Sequence, residues 1–268
     1  MRTLGIDLAA QAPGTAMCAV TWSVGSTAVE APLVGCDDAT LLEAMATADA
    51  TAIDAPFGWP DAMVSAVARF AEHGTWPVDA ATVELRFRHT DRAVPEISRA
   101  HRGRTPVPLS VSSDLIANCA FRCARLLAGH AAASGRPLDR IGLPPTTGAT
   151  YEAYPAGALL MWGLPHRGYK HPRGPAAAVS QELRAALLAS IEEQLPTLTL
   201  SDPVRAALTA SDHALDAFVC ALVARAAATG LTIAPDPGDT LLAAREGWIH
   251  LPVPDALRRL GEAAPHPV

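Results

Sequence analysis

The sequence predicts an α/β protein: a mixed five-stranded sheet with the order β-β-β-α-β and one later strand, flanked by helices and carrying a large helical insertion. Three observations support this. Three short apolar strand patterns fall within the first 34 residues, joined by brief turns, so they pair as an antiparallel meander. A helical pattern then separates them from the next strand, and a crossover of that kind makes a parallel neighbour. From residue 60 onward the pattern is helical, apart from one strand near residue 150.

The first strand is T-L-G-I-D-L, residues 3–8. The turn Q-A-P-G leads into the second, G-T-A-M-C-A-V-T-W over 14–22, and V-G-S into the third, over 26–34. D-D-A-T-L-L-E-A-M-A-T-A opens with acids and Thr40, which suits a helix start. T-A-I-D-A-P is a fourth strand ending at Asp54. Residues 61–73 and 79–93 read as helices, and 112–134 as a long one with Ser112 or Ser113 as its cap. A-T-Y-E-A-Y-P, 149–155, is the fifth strand and holds Glu152; helices over 156–163, 176–194 and 211–227 complete the pattern. Residues 1–255 are expected to form one domain with 60–148 inserted in it, and 256–268 a loosely ordered tail.

Half of the 268 residues are apolar, enough for a sizeable core, and alanine rather than the aromatics supplies much of that share. With 27 acids against 21 bases the net charge is -6, which excludes a general nucleic-acid coat but leaves room for a local basic patch. Lys170 is the only lysine. Five cysteines (18, 36, 119, 123 and 220) show no zinc-site spacing, which points to a reducing compartment, and the start lacks a signal-peptide pattern; a cytoplasmic protein is expected. No uncharged apolar run reaches the ~18 residues of a membrane span. Oligomeric state is not legible in the sequence.

The acids carry the chemical argument. Asp7 stands inside a strand that should be buried, where a lone carboxylate costs several kcal/mol. Asp54 ends the fourth strand, and ligands of α/β sheets gather at strand ends. Asp212 and Asp216 are four apart on the last helix and share a face with Leu215, Val219 and Val223, so both should point at the sheet. Such a cluster repels itself. A divalent cation with hard oxygen ligands, Mg²⁺ or Mn²⁺, relieves the conflict, and two such ions can serve a phosphoryl displacement. Glu152 either joins that shell or faces solvent. The plain alternatives are a helix-dipole role for Asp212 and Asp216 and a turn cap for Asp54.

Residues 86–104 hold six arginines and two histidines against Asp91 and Glu96. Arg86 and His89 share one helical face, Arg88 and Arg92 another. Arginine binds phosphate in a bidentate fork, so these four are candidates for a clamp that would hold nucleic acid over the acids. The alternative is a solvated helix with Asp91 tying up Arg88 or Arg92. Phe57 and Trp59, after Asp54, either stack a base or pack on the domain. H-R-G-Y-K-H-P-R-G, 166–174, is a second basic loop, either a substrate rim or plain surface.

G-I-D-L-A, I-D-A-P-F-G, Y-E-A-Y-P-A-G and S-D-H-A-L-D-A resemble the motifs of the domain of unknown function 429 family, over residues 4 to about 250. The resemblance implies an RNase H-like fold and a nuclease activity. The last motif also looks like the acidic helix of Holliday-junction resolvases, whose two close acids contribute to a metal site. On that basis Asp7 matches the strand-one acid, Asp54 the strand-four acid, and Asp212 with Asp216 the late-helix acids. Many RNase H-like nucleases also carry a glutamate on the first helix, for which Glu43 is available. Three functions follow as expectations. The first is a metal-dependent nuclease that hydrolyses phosphodiester bonds with two ions. The second is an ATP-binding actin or sugar-kinase-like protein, since G-I-D-L-A-A-Q-A-P-G-T-A looks like that group's first phosphate loop although its second is missing. The third is a non-catalytic binding module of the same fold.

Overall fold

A computed structural model describes residues 1–262 except 78, 80, 144, 145 and 171–176. Residue 80 of the helix expected over 79–93, residue 176 of that over 176–194, the end of the second basic loop and residues 263–268 of the tail lie outside the described residues.

The sheet is mixed, as the meander and crossover predict. Its strands are β1 (Arg2–Asp7), β2 (Ala16–Ser23), β3 (Ser26–Val29), β4 (Leu33–Val34), β5 (Ala50–Asp54), β6 (Ala149–Glu152) and β7 (Leu198–Thr199). They lie in the order β6-β5-β1-β2-β3-β7, with β4 paired to the start of β2. β1, β2 and β3 are the antiparallel meander; β5 joins β1, β6 joins β5 and β7 joins β3 in parallel. Seven strands replace the five expected. The third strand breaks into β3 and β4, and β7 is a two-residue edge too short to leave a pattern. The architecture is consistent with an RNase H-like sheet.

Eleven helices are described: α1 (Asp38–Ala46), α2 (Asp61–His73), α3 (Thr82–Arg86), α4 (His89–Arg102), α5 (Ala117–Ser134), α6 (Pro155–Met161), α7 (Ala177–Gln194), α8 (Asp202–Ala210), α9 (Asp212–Ala228), α10 (Thr240–Glu246) and α11 (Ala256–Arg259). The helix expected over 79–93 is two, broken at Phe87–Arg88. Neither Ser112 nor Ser113 caps α5, which starts later; both donate their backbone N–H to the Ser110 hydroxyl instead. The tail is not loose where it is described, because Ala256, Leu257 and Leu260 are buried in the main core. No single described helix is long and apolar enough to cross a membrane.

Two layers cover the sheet. Leu4, Ile6 and Ile53 face α1 and α5, meeting Leu41, Met45, Cys123 and Leu126. Thr3, Gly5 and Asp7, the alternate residues of β1, face α9. The Thr3 hydroxyl donates to the Ala221 carbonyl at 2.9 Å. A Cβ on Gly5 would stand 1.9 Å from the Ala217 oxygen, so glycine alone lets α9 lie directly on the strand. Ser211 caps α9 by accepting from Ala214 N–H. The helix runs antiparallel to β1: its Ala221 meets Thr3 and its His213 meets Asp7. Its N-terminus therefore lies at the C-terminal end of the central strand.

Candidate metal centre

Register and helix position together assemble the site. β1 and β5 pair so that Asp7 stands beside Asp54, on the same face of the sheet. On α9, Asp216 comes level with these strand ends. One carboxylate oxygen from each of Asp7, Asp54 and Asp216 lies within 4.8 Å of the others. A divalent ion with bonds of ~2.1 Å holds opposite ligands about 4.2 Å apart, so a small closing movement completes a shared shell. The donors are hard oxygens, the set that suits Mg²⁺ or Mn²⁺.

The triad is only partly neutralised by the protein. Lys170 Nζ is 2.5 Å from Asp216 Oδ2, and the Tyr169 hydroxyl donates to Asp216 Oδ1 at 2.8 Å. His213 Nδ1 is 2.6 Å from Asp7 Oδ2. The Asp54 carboxylate accepts no hydrogen bond from a described residue. Burial pushes its pKa well above the carboxylate range; Lys170 opposes this, and Asp7, Asp216 and Glu152 add to it. Burial likewise raises Asp216, to about 6, with Lys170 opposing and Asp7 reinforcing. Burial lowers the Lys170 pKa, but Asp216 and Asp54 outweigh it, and the ammonium is held protonated. The hydrogen bond to Asp7 raises His213. With Asp54 and Asp216 held above the ordinary carboxylate pKa and the Asp54 oxygen pair unclaimed, the triad carries a charge conflict that a bound cation would relieve.

A family model described as a protein of unknown function (DUF429) matches residues 5–240. The chain belongs to the DUF429 family. No curated protein and no solved structure matches it. All three triad residues fall inside the DUF429 match, and two of them, Asp7 and Asp54, line a cleft of about 400 Å³ together with Lys170. Leu8–Ala10 from the end of β1, Pro108, Leu109 and Leu115 line its other walls.

The other expected residues of this DUF429 chain are placed differently. Asp212 is not in the triad: it opens α9, and four residues of helix put it about 6 Å further along the axis than Asp216. Glu152 does not join either. It pairs in register with Ile53, so it faces the α5 side of the sheet while Asp54 faces α9. There the Arg88 guanidinium takes both its oxygens, at 2.7 and 2.8 Å, and Phe57 N–H donates to it. Glu43 is exposed on α1, opposite the buried Leu41 and Met45.

The arginine clamp is corrected for three of its four members. Arg88 is 1% exposed, forked between Glu152 and Asp91, and holds the insertion to the sheet. His89 stacks on Trp248 and pairs with Asp239, and Arg92 lines the same separate hollow; neither lines the cleft. Arg86 stays exposed, bonded to Ser113 beside the cleft's Pro108–Leu109 wall. Phe57 is buried and Trp59 stacks on Phe121, so both pack on the domain.

Sequence reading missed Lys170, Tyr169 and His213 as partners of the acids. Two signals were present: Lys170 is the chain's only lysine, and His213 lies inside S-D-H-A-L-D-A.

Proposed function

We propose that this DUF429 protein is a metal-dependent phosphodiesterase acting on nucleic acid, with Asp7, Asp54 and Asp216 holding Mg²⁺ or Mn²⁺. The observation that carries the reading is the convergence of three carboxylates, from two strand ends and a helix, with Asp7 and Asp54 of that cluster lining an open cleft. A bound ion would supply a Lewis acid for the phosphoryl oxygen and lower the pKa of an attacking water. The chain's own residues do the rest. Asp7 is oriented by His213, and Asp216 by Tyr169. The raised His213 imidazole is placed to carry a proton to or from a group beside Asp7. The cleft, with Arg86 near its rim, is the place for the nucleic-acid strand. The five cysteines are free thiols, which suits a cytoplasmic setting.

The test is cleavage of single- and double-stranded DNA and RNA with Mg²⁺ or Mn²⁺. We expect cleavage that stops in chelator and is lost in Asp7→Asn and Asp54→Asn. Full metal-dependent cleavage by both variants would place the chemistry elsewhere.

One observation favours a second reading. The Lys170 ammonium already offsets part of the triad's charge, as in a binding module that needs no metal. That reading expects no heat on titration with Mg²⁺ or Mn²⁺ and no cleavage of any of the four substrates.

A further inference from the structure

The chain's single lysine is delivered to the triad by a fixed stretch of backbone. Tyr169, immediately before it, is buried; its hydroxyl donates to Asp216 and its carbonyl accepts from Arg184 at 2.6 Å. The Gly168 carbonyl accepts from Ser180. Lys170 itself differs: its side chain is 47% exposed along the cleft wall, and only the ammonium reaches in to Asp216. The anchor is pinned by hydrogen bonds, whereas the arm borders solvent.

An ion at ~2.1 Å on Asp216 Oδ2 would stand no more than about 4.6 Å from an ammonium 2.5 Å from the same oxygen. Two cations that close repel. The other oxygen, Oδ1, already accepts from Tyr169. The arm can leave without burying charge, because it already borders solvent. A phosphodiester entering the cleft brings one further negative charge that needs a partner. Of the cations lining the cleft among the described residues, Arg88 is locked by Asp91 and Glu152, and Lys170 is the one able to turn.

We infer that Lys170 is a displaceable counter-ion: it holds Asp216 in the metal-free protein, yields that place to a divalent cation, and then binds the substrate phosphate. The inference rests on the metal-centre reading and adds a residue to it.

A unique lysine allows a direct test on the unmutated protein. Reductive methylation with ¹³C-formaldehyde labels Lys170 and the Met1 amine, keeping both charges. The Met1 amine bonds the Trp22 carbonyl at the far end of β1 and serves as the control. On Mg²⁺ titration the Lys170 methyl resonance should shift and saturate at the midpoint found by calorimetry, while the Met1 resonance stays. Lys170→Met should bind Mg²⁺ about tenfold tighter, yet hydrolyse substrate more slowly, with the loss mostly in KM. A still Lys170 resonance while calorimetry records binding, or equal or weaker Mg²⁺ affinity in Lys170→Met, overturns this inference and leaves the metal centre standing. Absence of any Mg²⁺ or Mn²⁺ binding to the unmutated protein overturns both.

Discussion

Two groups of acids are withdrawn from water at the ends of β5 and β6, on opposite faces of the sheet, and each is met by a cation. Around Arg88, all four oxygens of Asp91 and Glu152 are claimed by the guanidinium, and the backbone N–H groups of Arg88 and Phe57 add second bonds to Asp91 Oδ2 and Glu152 Oε2. Around Lys170, the ammonium and the Tyr169 hydroxyl reach the two oxygens of Asp216, His213 reaches one of Asp7, and the Asp54 carboxylate receives no hydrogen bond from a described residue. The first group is closed and fastens the insertion to the sheet. The second is left under-neutralised, although both groups border the same open cleft. Acid count does not separate a structural cluster from a site; the completeness of the donors does.

The strongest way to break this comparison is Arg88→Met. Glu152 and Asp91 would be left buried without a cation, each keeping one backbone N–H donor, and we expect a stability loss of about 3–5 kcal/mol by urea unfolding. A loss below about 1 kcal/mol would mean that Arg88 does not anchor the insertion. Next comes Gly5→Ala, which drives a methyl into the Ala217 carbonyl. We expect about 1–3 kcal/mol of destabilisation together with weakened metal binding, since α9 carries Asp216. Asp54→Asn should do the reverse of Arg88→Met: removing a repelled carboxylate leaves stability unchanged or raised, while Mn²⁺ affinity falls about tenfold or more. Equal destabilisation by Asp54→Asn and Arg88→Met would erase the distinction between the groups.

Much of the triad was legible before the fold was known. Asp7 inside an apolar strand and Asp54 at a strand end announce themselves, and the apolar face of α9 directs Asp216 inward. Asp212 shares that face, but a pattern on a helical wheel carries no rise, and one turn of helix separates Asp212 from the triad. Glu152 turns on parity: Tyr151 and Glu152 face opposite sides, yet which side meets Asp54 depends on the β5–β6 register, which a single strand's sequence does not encode. Arg88 reads as a phosphate clamp or as part of a solvated helix paired with Asp91; the Asp91 pair is present, but the second partner, Glu152, lies 64 residues away. Lys170 sits in a loop with no periodicity to read. β7 has two residues, too few for alternation.

pH sharpens the comparison further. Burial raises Asp216 from 3.8 to about 6, so the folded protein binds this proton more tightly than the unfolded chain does. The contribution of Asp216 to stability therefore falls as pH rises from about 4 to about 6, and Asp54, raised in the same direction, adds to the slope. Metal binding should run the other way, weakening as pH drops through 6 and protons compete for the same oxygens. Calorimetric Mn²⁺ affinity between pH 5 and 7.5, flat where we expect a rise, would contradict the coupling. The smallest effect belongs to His213→Gln. Its ring is 44% exposed, so stability should change by no more than about 1 kcal/mol. Because His213 is raised by Asp7, its contribution is complete at low pH and is lost as pH rises through its folded value.

The most direct test of the metal centre is anomalous diffraction from crystals soaked in Mn²⁺. The account predicts a peak bonded to oxygens of Asp7, Asp54 and Asp216, with the Lys170 ammonium withdrawn from Asp216. Triad oxygens that keep Lys170 and show no peak, in crystals where manganese binds at other carboxylates, would contradict it.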